Sequence, residues 1–105
     1  MTMVLEVAHL TVFDGKQREF EAAMRQAAPY IMASEGYLGH EVKQCVEDGT
    51  KYLLLVQWRT LDDHMVGFRN SDRLAPWRAI LTPFYAAPAL VEHYETRLTF
   101  TPGSV

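Results

Sequence analysis

The order in which the hydrophobic period changes along the chain is the feature that most constrains its fold. Apolar residues run together or alternate over strand-length segments, and between these segments they recur every three or four residues, as on one face of a helix. The strand-like segments span residues 4–13, 38–47, 51–59 and 89–98, with a helical stretch after the first and after the third. This order predicts an α+β fold of the ferredoxin-like βαββαβ type, with a four-stranded antiparallel sheet.

The first predicted helix covers residues 16–34. Its apolar face is formed by four residues at helical spacing: Phe20, Met24, Ala27 and Ile31. Pro29 interrupts the pattern, because proline has no backbone N–H and its ring crowds the preceding turn. We therefore expect the helix to kink at Pro29 or to end near Ala28.

The second helical stretch begins at Thr60. Thr60 and Asp63 have the spacing of a loose capping box, in which each side chain accepts a hydrogen bond from the backbone N–H of the other residue. Residues 70–72 then divide the stretch into two pieces. The predicted apolar faces are Leu61, Met65 and Phe68 in the first piece and Leu74, Trp77 and Leu81 in the second.

The predicted sheet has one face that no helix covers. Right-handed crossovers place both helices on the same side of the sheet. The strands are apolar on both sides, most clearly at residues 53–56, and a bare apolar face of that size normally marks an interface. We therefore predict a homodimer in which two sheets pack face to face.

Length and charge limit the class of protein. The 105 residues suffice for one domain, predicted to span residues 1–105 with a polar tail at 99–105. The net charge is −3, and the charged residues are scattered along the chain without a run of one sign, which argues against nucleic-acid binding. The longest apolar run is too short to span a membrane and no signal peptide is visible, so a cytoplasmic location is expected. The single cysteine, Cys45, lacks thiolate-stabilising neighbours and is expected to be an inert thiol.

A set of residues in the second half of the chain resembles the antibiotic biosynthesis monooxygenase family. The set comprises Trp58, His64, the segment 66–71 with sequence Val-Gly-Phe-Arg-Asn-Ser, Trp77-Arg78, Pro83-Phe84 and Val91-Glu92-His93. The resemblance extends over about the whole chain, from Val4 to Thr96. Members of this family form dimeric α+β barrels, so the resemblance implies the same assembly here.

The resemblance also implies a type of chemistry. Better-understood members of the family oxidise polycyclic phenols or quinols with O₂ and use neither metal nor flavin. A deprotonated, electron-rich aromatic can itself give an electron to O₂, so the protein has to bind it, take its proton and exclude water. The implied function is a cofactor-independent monooxygenase whose partners are a small aromatic molecule and O₂, with the site in a cavity between sheet and helices.

Two histidines are the candidate acid/base residues. His64 lies beside the apolar face of the second helical stretch, and His93 faces the cavity if its strand neighbour Val91 does. His9 and His40 on the first two strands are alternatives. The candidate substrate-binding residues are Trp58 and Trp77 as aromatic walls, Phe68, and Arg69 as the partner of a substrate oxygen or carboxylate. These residues could also have purely structural roles. His64 would then be a half-exposed helix residue, the two tryptophans would belong to the core, and Arg69 would form a surface salt bridge.

Two other functions fit the same fold. One is a ligand-binding or sensory dimer without catalysis. The other is haem degradation, which in related proteins uses a helix histidine, a nearby tryptophan and an asparagine on the first strand. No asparagine occurs in residues 4–13, and His64 precedes Trp77, which is the wrong order for that pattern. The histidines also lack the paired spacing of a metal site, so no metal is expected.

Overall fold

The computed structural model describes residues 3–103. Four strands and two α-helices follow one another in the predicted order. Their bounds are β1 (Val4–Thr11), α1 (Gln17–Met32), β2 (Tyr37–Gln44), β3 (Lys51–Trp58), α2 (Leu74–Leu81) and β4 (Leu90–Tyr94). A π-helical segment (Asp63–Phe68) precedes α2, and a 3₁₀ turn (Thr82–Phe84) follows it. The first and last strands end earlier than the apolar pattern predicted, at Thr11 and Tyr94.

The sheet confirms the ferredoxin-like prediction. Its strand order is β2-β3-β1-β4, and all three pairings are antiparallel. Val7 at the centre of β1 pairs with Leu55 of β3 on one side and with Glu92 of β4 on the other. The sheet is not closed within one chain, because β2 and β4 are edge strands. The dimeric form of the predicted barrel therefore stays a prediction.

The core lies between the sheet and the helices. Successive strand residues point to opposite faces, so Ala8 and Leu10 of β1 are buried beneath the helices while His9 is exposed on the open face. The predicted apolar face of α1 is buried in full, and so are Trp77 and Leu81 of α2. None of the helices described between residues 3 and 103 is both long and apolar enough to cross a membrane.

Helix α1 does not end near Ala28, so this one of the two effects expected of Pro29 is wrong, while a kink at Pro29 stays a prediction. The helix continues to Met32, and the N–H of Ala33 still bonds the carbonyl of Pro29 at 3.2 Å. Proline removes one backbone donor, but Ile31, two residues on, is almost fully buried against the core. Packing of the apolar face outweighs the loss of a single hydrogen bond near a helix end.

The capping box is confirmed, and so is the burial of Phe68, but the predicted burial of Leu61 and Met65 is wrong. The N–H of Thr60 donates to Asp63 Oδ2 and the N–H of Asp63 donates to Thr60 Oγ1, both at 3.1 Å. Leu61 and Met65 are exposed, whereas Phe68 and His64 are buried. The N–H of Arg69 bonds the carbonyl of His64, five residues back, and this widened π turn changes which side chains lie toward the sheet.

Candidate functional site

A cavity of about 740 Å³ lies between the helix-covered face of the sheet and the chain from the π-helical segment to β4. Its floor is apolar and comes from the sheet. Its walls come from the π-helical segment, α2 and the loop 86–89. The lining residues used below are Ala8, Leu10, Leu54, Phe68, Trp77 and Leu81 on the apolar side and Glu6, His64, Arg69, Arg78, Thr82 and Tyr85 on the polar side. Apolar walls with a few convergent polar groups are typical of small-molecule sites.

Glu6 is a carboxylate at a core position. It follows the same two-residue period as Ala8 and Leu10, so β1 directs it under the helices, where only 5% of it is exposed. Its Oε1 accepts a hydrogen bond from Trp58 Nε1–H at 2.9 Å and lies 3.3 Å from His64 Nε2. Burying a carboxylate is costly unless hydrogen bonds compensate. Trp58 supplies such a hydrogen bond from β3, and His64 adds a close polar contact from the π-helical segment.

His64 and His93 extend this contact into a chain of three side chains. His64 Nδ1 and His93 Nε2 are 2.8 Å apart, so one of the two nitrogen atoms carries the shared proton. If Oε1 of Glu6 accepts from His64 Nε2–H, then Nδ1 is unprotonated and accepts from His93 Nε2–H. We call this arrangement, from carboxylate to outer imidazole, the Glu6–His64–His93 chain.

Aromatic rings hold His64 in this orientation. The Trp58 ring stacks on it with centroids 5.2 Å apart and an interplanar angle of 14°, and the Phe68 ring centroid lies 6.4 Å away with an interplanar angle of 25°. Trp58 therefore contacts the chain twice, through its ring face on His64 and through its N–H on Glu6. Both contacts fix side-chain rotamers and so preorganise the polar end of the cavity.

Burial determines the protonation of the Glu6–His64–His93 chain. It raises the pKa of Glu6, against the opposing effects of the Trp58 hydrogen bond and the charge of Arg69. It lowers the pKa of His64 to about 3, with smaller contributions from the charges of His93 and Arg69. The pKa of His93 is lowered by burial and then by Arg69. Both imidazoles are therefore neutral near pH 7, and the Glu6–His64 contact is a close polar contact of 3.3 Å rather than an ion pair.

One oxygen of Glu6 remains available to a ligand. Oε2 accepts no hydrogen bond from the part of the chain that the structure describes. No buried side-chain oxygen or nitrogen among residues 3–103 lacks a partner, so Oε2 lies where the cavity can reach it. A carboxylate with a raised pKa and an open oxygen is a suitable proton acceptor. Neutral His64, with a pKa of about 3, is a much weaker one.

A phenolic hydroxyl lies close to this end of the cavity. Burial raises the pKa of Tyr85 to about 12, and the negative charge of Glu6 adds to the effect. Tyr85 therefore keeps its proton at neutral pH. It can donate a hydrogen bond to an oxygen atom of a bound ligand.

The structure brings together most of the predicted site residues. His64, Phe68, Arg69 and Trp77 line the cavity, and His93 reaches it through its contact with His64. Trp58 does not form a cavity wall as predicted, because it is fully buried behind His64. The acid/base roles of the two histidines stay predictions.

The alternative histidines lie elsewhere. His9 is on the open face of the sheet, where its Nε2 is 3.3 Å from a carboxylate oxygen of Glu92. His40 contacts the hydroxyl of Tyr37 through Nδ1 and is outside the cavity.

Four polar lining residues were not among the predicted site residues: Glu6, Arg78, Thr82 and Tyr85. Glu6 did carry a signal. An acidic residue that keeps the period of Ala8 and Leu10 occupies a core position, and carboxylates are seldom buried unless they are paired. Tyr85 and Arg78 carried none, because neither the length of the cavity nor the course of the loop after α2 follows from a local pattern.

The Glu6–His64–His93 chain is not arranged as a metal site. The two imidazoles contact each other directly through Nδ1 and Nε2 and do not converge on a common point. Within residues 3–103, no group of three His, Cys, Asp or Glu side chains could hold a metal ion.

Known proteins match both the sequence and the fold. The family model for antibiotic biosynthesis monooxygenase matches residues 3–79. The uncharacterised protein YczJ of Bacillus subtilis (strain 168) is 47% identical over 93 residues, which cover 89% of this chain and 98% of YczJ. A solved structure from Bordetella bronchiseptica, assigned to the antibiotic biosynthesis monooxygenases, is 35% identical with a TM-score of 0.89, covering 93% of this chain and all of that one.

A more distant structure shares the fold and carries a ligand. It is the monooxygenase from the gene ActVA-Orf6 of Streptomyces coelicolor, solved in complex with nanaomycin D. It is 22% identical, with a TM-score of 0.82, and the alignment covers 97% of this chain and 94% of that one. The family match extends over well more than half of the residues, and the sequence relatives cover nearly the whole length, so this chain belongs to the antibiotic biosynthesis monooxygenase family.

Proposed function

We propose that this protein is a cofactor-independent monooxygenase that oxidises a small phenol or quinol with O₂. The observation that carries the proposal is the Glu6 carboxylate, whose unbonded oxygen lies at the polar end of a cavity with an apolar floor. The small-molecule ligand of the Streptomyces coelicolor monooxygenase supports a ligand of similar kind in the same fold. Phe68, Trp77 and Leu81 supply aromatic and aliphatic walls against which a flat aromatic ring would pack.

The proposed reaction needs only the substrate, O₂ and a proton acceptor. Glu6 Oε2 takes a proton from the substrate, and the resulting anion gives an electron to O₂. The two radicals combine into a carbon-bound peroxide, whose outer oxygen takes the proton back from Glu6. Glu6 then takes the hydrogen of that carbon as a proton, the O–O bond breaks, and the leaving hydroxide accepts this proton to become water. One ring C–H group, one phenolic O–H group and O₂ thus become two C=O groups and one water molecule.

The surrounding residues support this proton transfer. The positive charge of Arg69 favours the ionised form of Glu6, and it would favour a substrate phenolate in the same way. His64 and Trp58 hold Glu6 Oε1, so that Oε2 is directed at the substrate. In the proposed arrangement Nδ1 of His64 bonds His93 and Nε2 faces Glu6 Oε1, so neither ring nitrogen is directed at a haem iron.

The homodimer belongs to the same proposal. Leu5, Val7, Leu53 and Leu55 form an apolar stripe across the open face of the sheet, and none of them is buried within the chain. Leu90 and Tyr94 on β4 continue the stripe and are at least half exposed. A second copy that packs on this face would cover the stripe and join two open sheets into one barrel.

Oxygen consumption tests the enzymatic proposal. Wild type, Glu6→Gln and His64→Gln are compared with a panel of anthrones and naphthols in an oxygen electrode. Removing a general base typically costs 10²–10⁴-fold in rate. We expect a loss of about that size in Glu6→Gln, and a smaller loss in His64→Gln, which keeps the base but not its orientation.

Two outcomes would count against this function. Equal oxygen uptake by wild type and Glu6→Gln would remove the carboxylate from the mechanism. Tight binding of these compounds without any oxygen uptake would favour the ligand-binding alternative. A titration with haem serves as a further control, for which we expect no shift of the Soret band.

A further inference from the structure

The two arginines of the cavity distinguish it from the rest of the protein. Lys and Arg number 10 in the whole chain against 13 Asp and Glu, yet the charged residues that line the cavity are Arg69, Arg78 and a single acid, Glu6. Field lines concentrate in a cleft with low-dielectric walls, so a local excess of positive charge acts strongly on a ligand there. The cavity therefore favours the binding of anionic ligands, although the protein as a whole has a net negative charge.

The side chains of Arg69 and Arg78 are not held by hydrogen bonds or ion pairs in the part of the chain that the structure describes. The two other arginines between β3 and the end of α2 are engaged: Arg59 by Asp63 and Glu35, and Arg73 by Ser34 and the carbonyl of Tyr30. In this stretch, which the structure describes in full, the guanidinium groups left free are the two that line the cavity.

The two arginines lie at different distances from the reactive end. The N–H of Arg69 bonds the carbonyl of His64 at 3.1 Å, whereas Arg78 lies on α2. In agreement with this, the charge of Arg69 affects the pKa values of Glu6, His64 and His93, and that of Arg78 affects none of them. Arg78 is exposed and precedes Thr82 by one helical turn, so both side chains lie at the solvent side of the cavity. The lining therefore offers one cation beside the reacting phenol and a second one farther out.

Together these observations point to the substrate class. We propose that the substrate carries a carboxylate on the ring remote from its phenol, and that Arg78 binds this carboxylate at the mouth of the cavity. This inference rests on the proposed site but concerns recognition rather than turnover. A guanidinium group suits the role because its planar fork can donate two parallel hydrogen bonds to a carboxylate.

A pair of matched ligands tests the inference without any turnover. One is a hydroxynaphthoate with its hydroxyl and carboxylate on opposite rings, and the other is its methyl ester, which has nearly the same shape but no charge. Binding is followed under anaerobic conditions by quenching of tryptophan fluorescence, to which Trp77 in the cavity wall contributes. A charged hydrogen bond corresponds to roughly a tenfold to hundredfold change in affinity, and the exposure of Arg78 places the effect at the lower end, so wild type should favour the acid about tenfold.

Three variants locate the source of this preference. Arg78→Gln should bind acid and ester equally, with ester affinity as in wild type. Arg69→Gln should weaken the binding of both ligands, because Arg69 acts at the phenol end that they share. Arg18→Gln makes the same charge change on the exposed surface of α1 and should keep the full preference. In wild type the preference should also shrink as salt is added.

The result separates this inference from the proposed reaction. Equal affinity of wild type for acid and ester, or a preference that persists in Arg78→Gln, would overturn the role of Arg78 even if uncharged phenols are oxidised. Conversely, a preference lost only in Arg78→Gln would support it even if no compound in the panel consumed oxygen.

Discussion

At the scale of single residues, the site depends on one buried carboxylate and the groups that accompany it. Glu6 is kept in an apolar environment by Trp58 and His64, and the same burial that raises its pKa keeps His64 neutral. A neutral His64 with its proton on Nε2 directs that proton at Glu6 and accepts from His93 through Nδ1. Burial favours this neutral form, which makes the stability of the protein depend on pH.

We predict that His64 makes the folded protein sensitive to acid. The pKa of its imidazole falls from the ordinary value of 6.5 to about 3 in the folded protein, so between these values the unfolded chain binds a proton that the folded protein does not. The stabilisation linked to neutral His64 is present above pH 6.5 and is lost as the pH falls toward 3. Glu6 acts in the opposite sense, because a raised carboxyl pKa lowers stability as the pH rises above 4.5.

Urea denaturation of wild type and His64→Gln at several pH values isolates the histidine. Below about pH 6.5, the free energy of unfolding of wild type should fall relative to that of the variant by up to about 1.4 kcal/mol per pH unit. His93→Gln, which keeps His64, should retain this dependence. Parallel pH profiles for wild type and His64→Gln would show that His64 is not held neutral by burial.

At the scale of elements, the start of the π-helical segment positions His64. Asp63 bonds the N–H of Thr60, and Arg59 donates to it through two nitrogen atoms at 3.1 Å. The carboxylate lies over Gly36, the residue before β2, where a Cβ atom would collide with it. The segment that carries His64 is thus fixed to the end of β3 and to the loop after α1.

Substitution of Gly36 tests this connection. Gly36 has a φ of +81°, so alanine there would be strained and would also displace Asp63. Gly15 is a matched control, because its φ is +86° and a Cβ added there would meet no atom within 4 Å. The left-handed conformation alone costs an alanine roughly 1–2 kcal/mol, which we expect for Gly15→Ala.

For Gly36→Ala we expect a loss of about 3 kcal/mol or more in the free energy of unfolding, because overpacking against Asp63 adds to the strain. Thermal or urea denaturation of both variants gives the comparison. Equal losses would mean that Asp63 moves aside at no cost and does not anchor the segment.

At the scale of the whole molecule, one side of the sheet supplies the site and the other supplies the proposed interface. The helices cover the side that carries Glu6 and leave exposed the side that carries the apolar stripe of Leu5, Val7, Leu53 and Leu55. Because strand residues alternate between faces, Glu6 and Ala8 of β1 line the cavity, whereas Leu5 and Val7 lie on the open face. A change in the stripe should therefore alter assembly without touching the cavity.

Leu55→Glu tests assembly at the centre of the stripe, where Leu55 pairs with Val7 and Glu41. We expect the wild type to behave as a dimer in light scattering and the variant as a monomer, because an unpaired charge would be buried in the interface. Met32→Glu places the same charge on an exposed position of α1 and should leave the dimer intact. A monomeric wild type would refute the interface.

The sequence by itself determined the element order, the sheet topology, the buried face of α1 and the capping box at Thr60. These features follow from signals that act within a few residues, such as apolar periodicity and the reach of a side chain to a nearby backbone N–H. The family resemblance also indicated His64 and His93, although it did not show that they touch.

Only the tertiary structure decided how the polar end of the cavity is assembled. Trp58 and Glu6 are 52 positions apart, and His64 and His93 are 29 apart, so their contacts depend on strand register and on the π turn. A local apolar pattern favours Met65 over His64 for burial. It contains no information about Glu6 and His93, which lie on other elements and contact the two ring nitrogens of His64. The free energy that keeps the polar residue inside comes from partners that the fold brings from other elements.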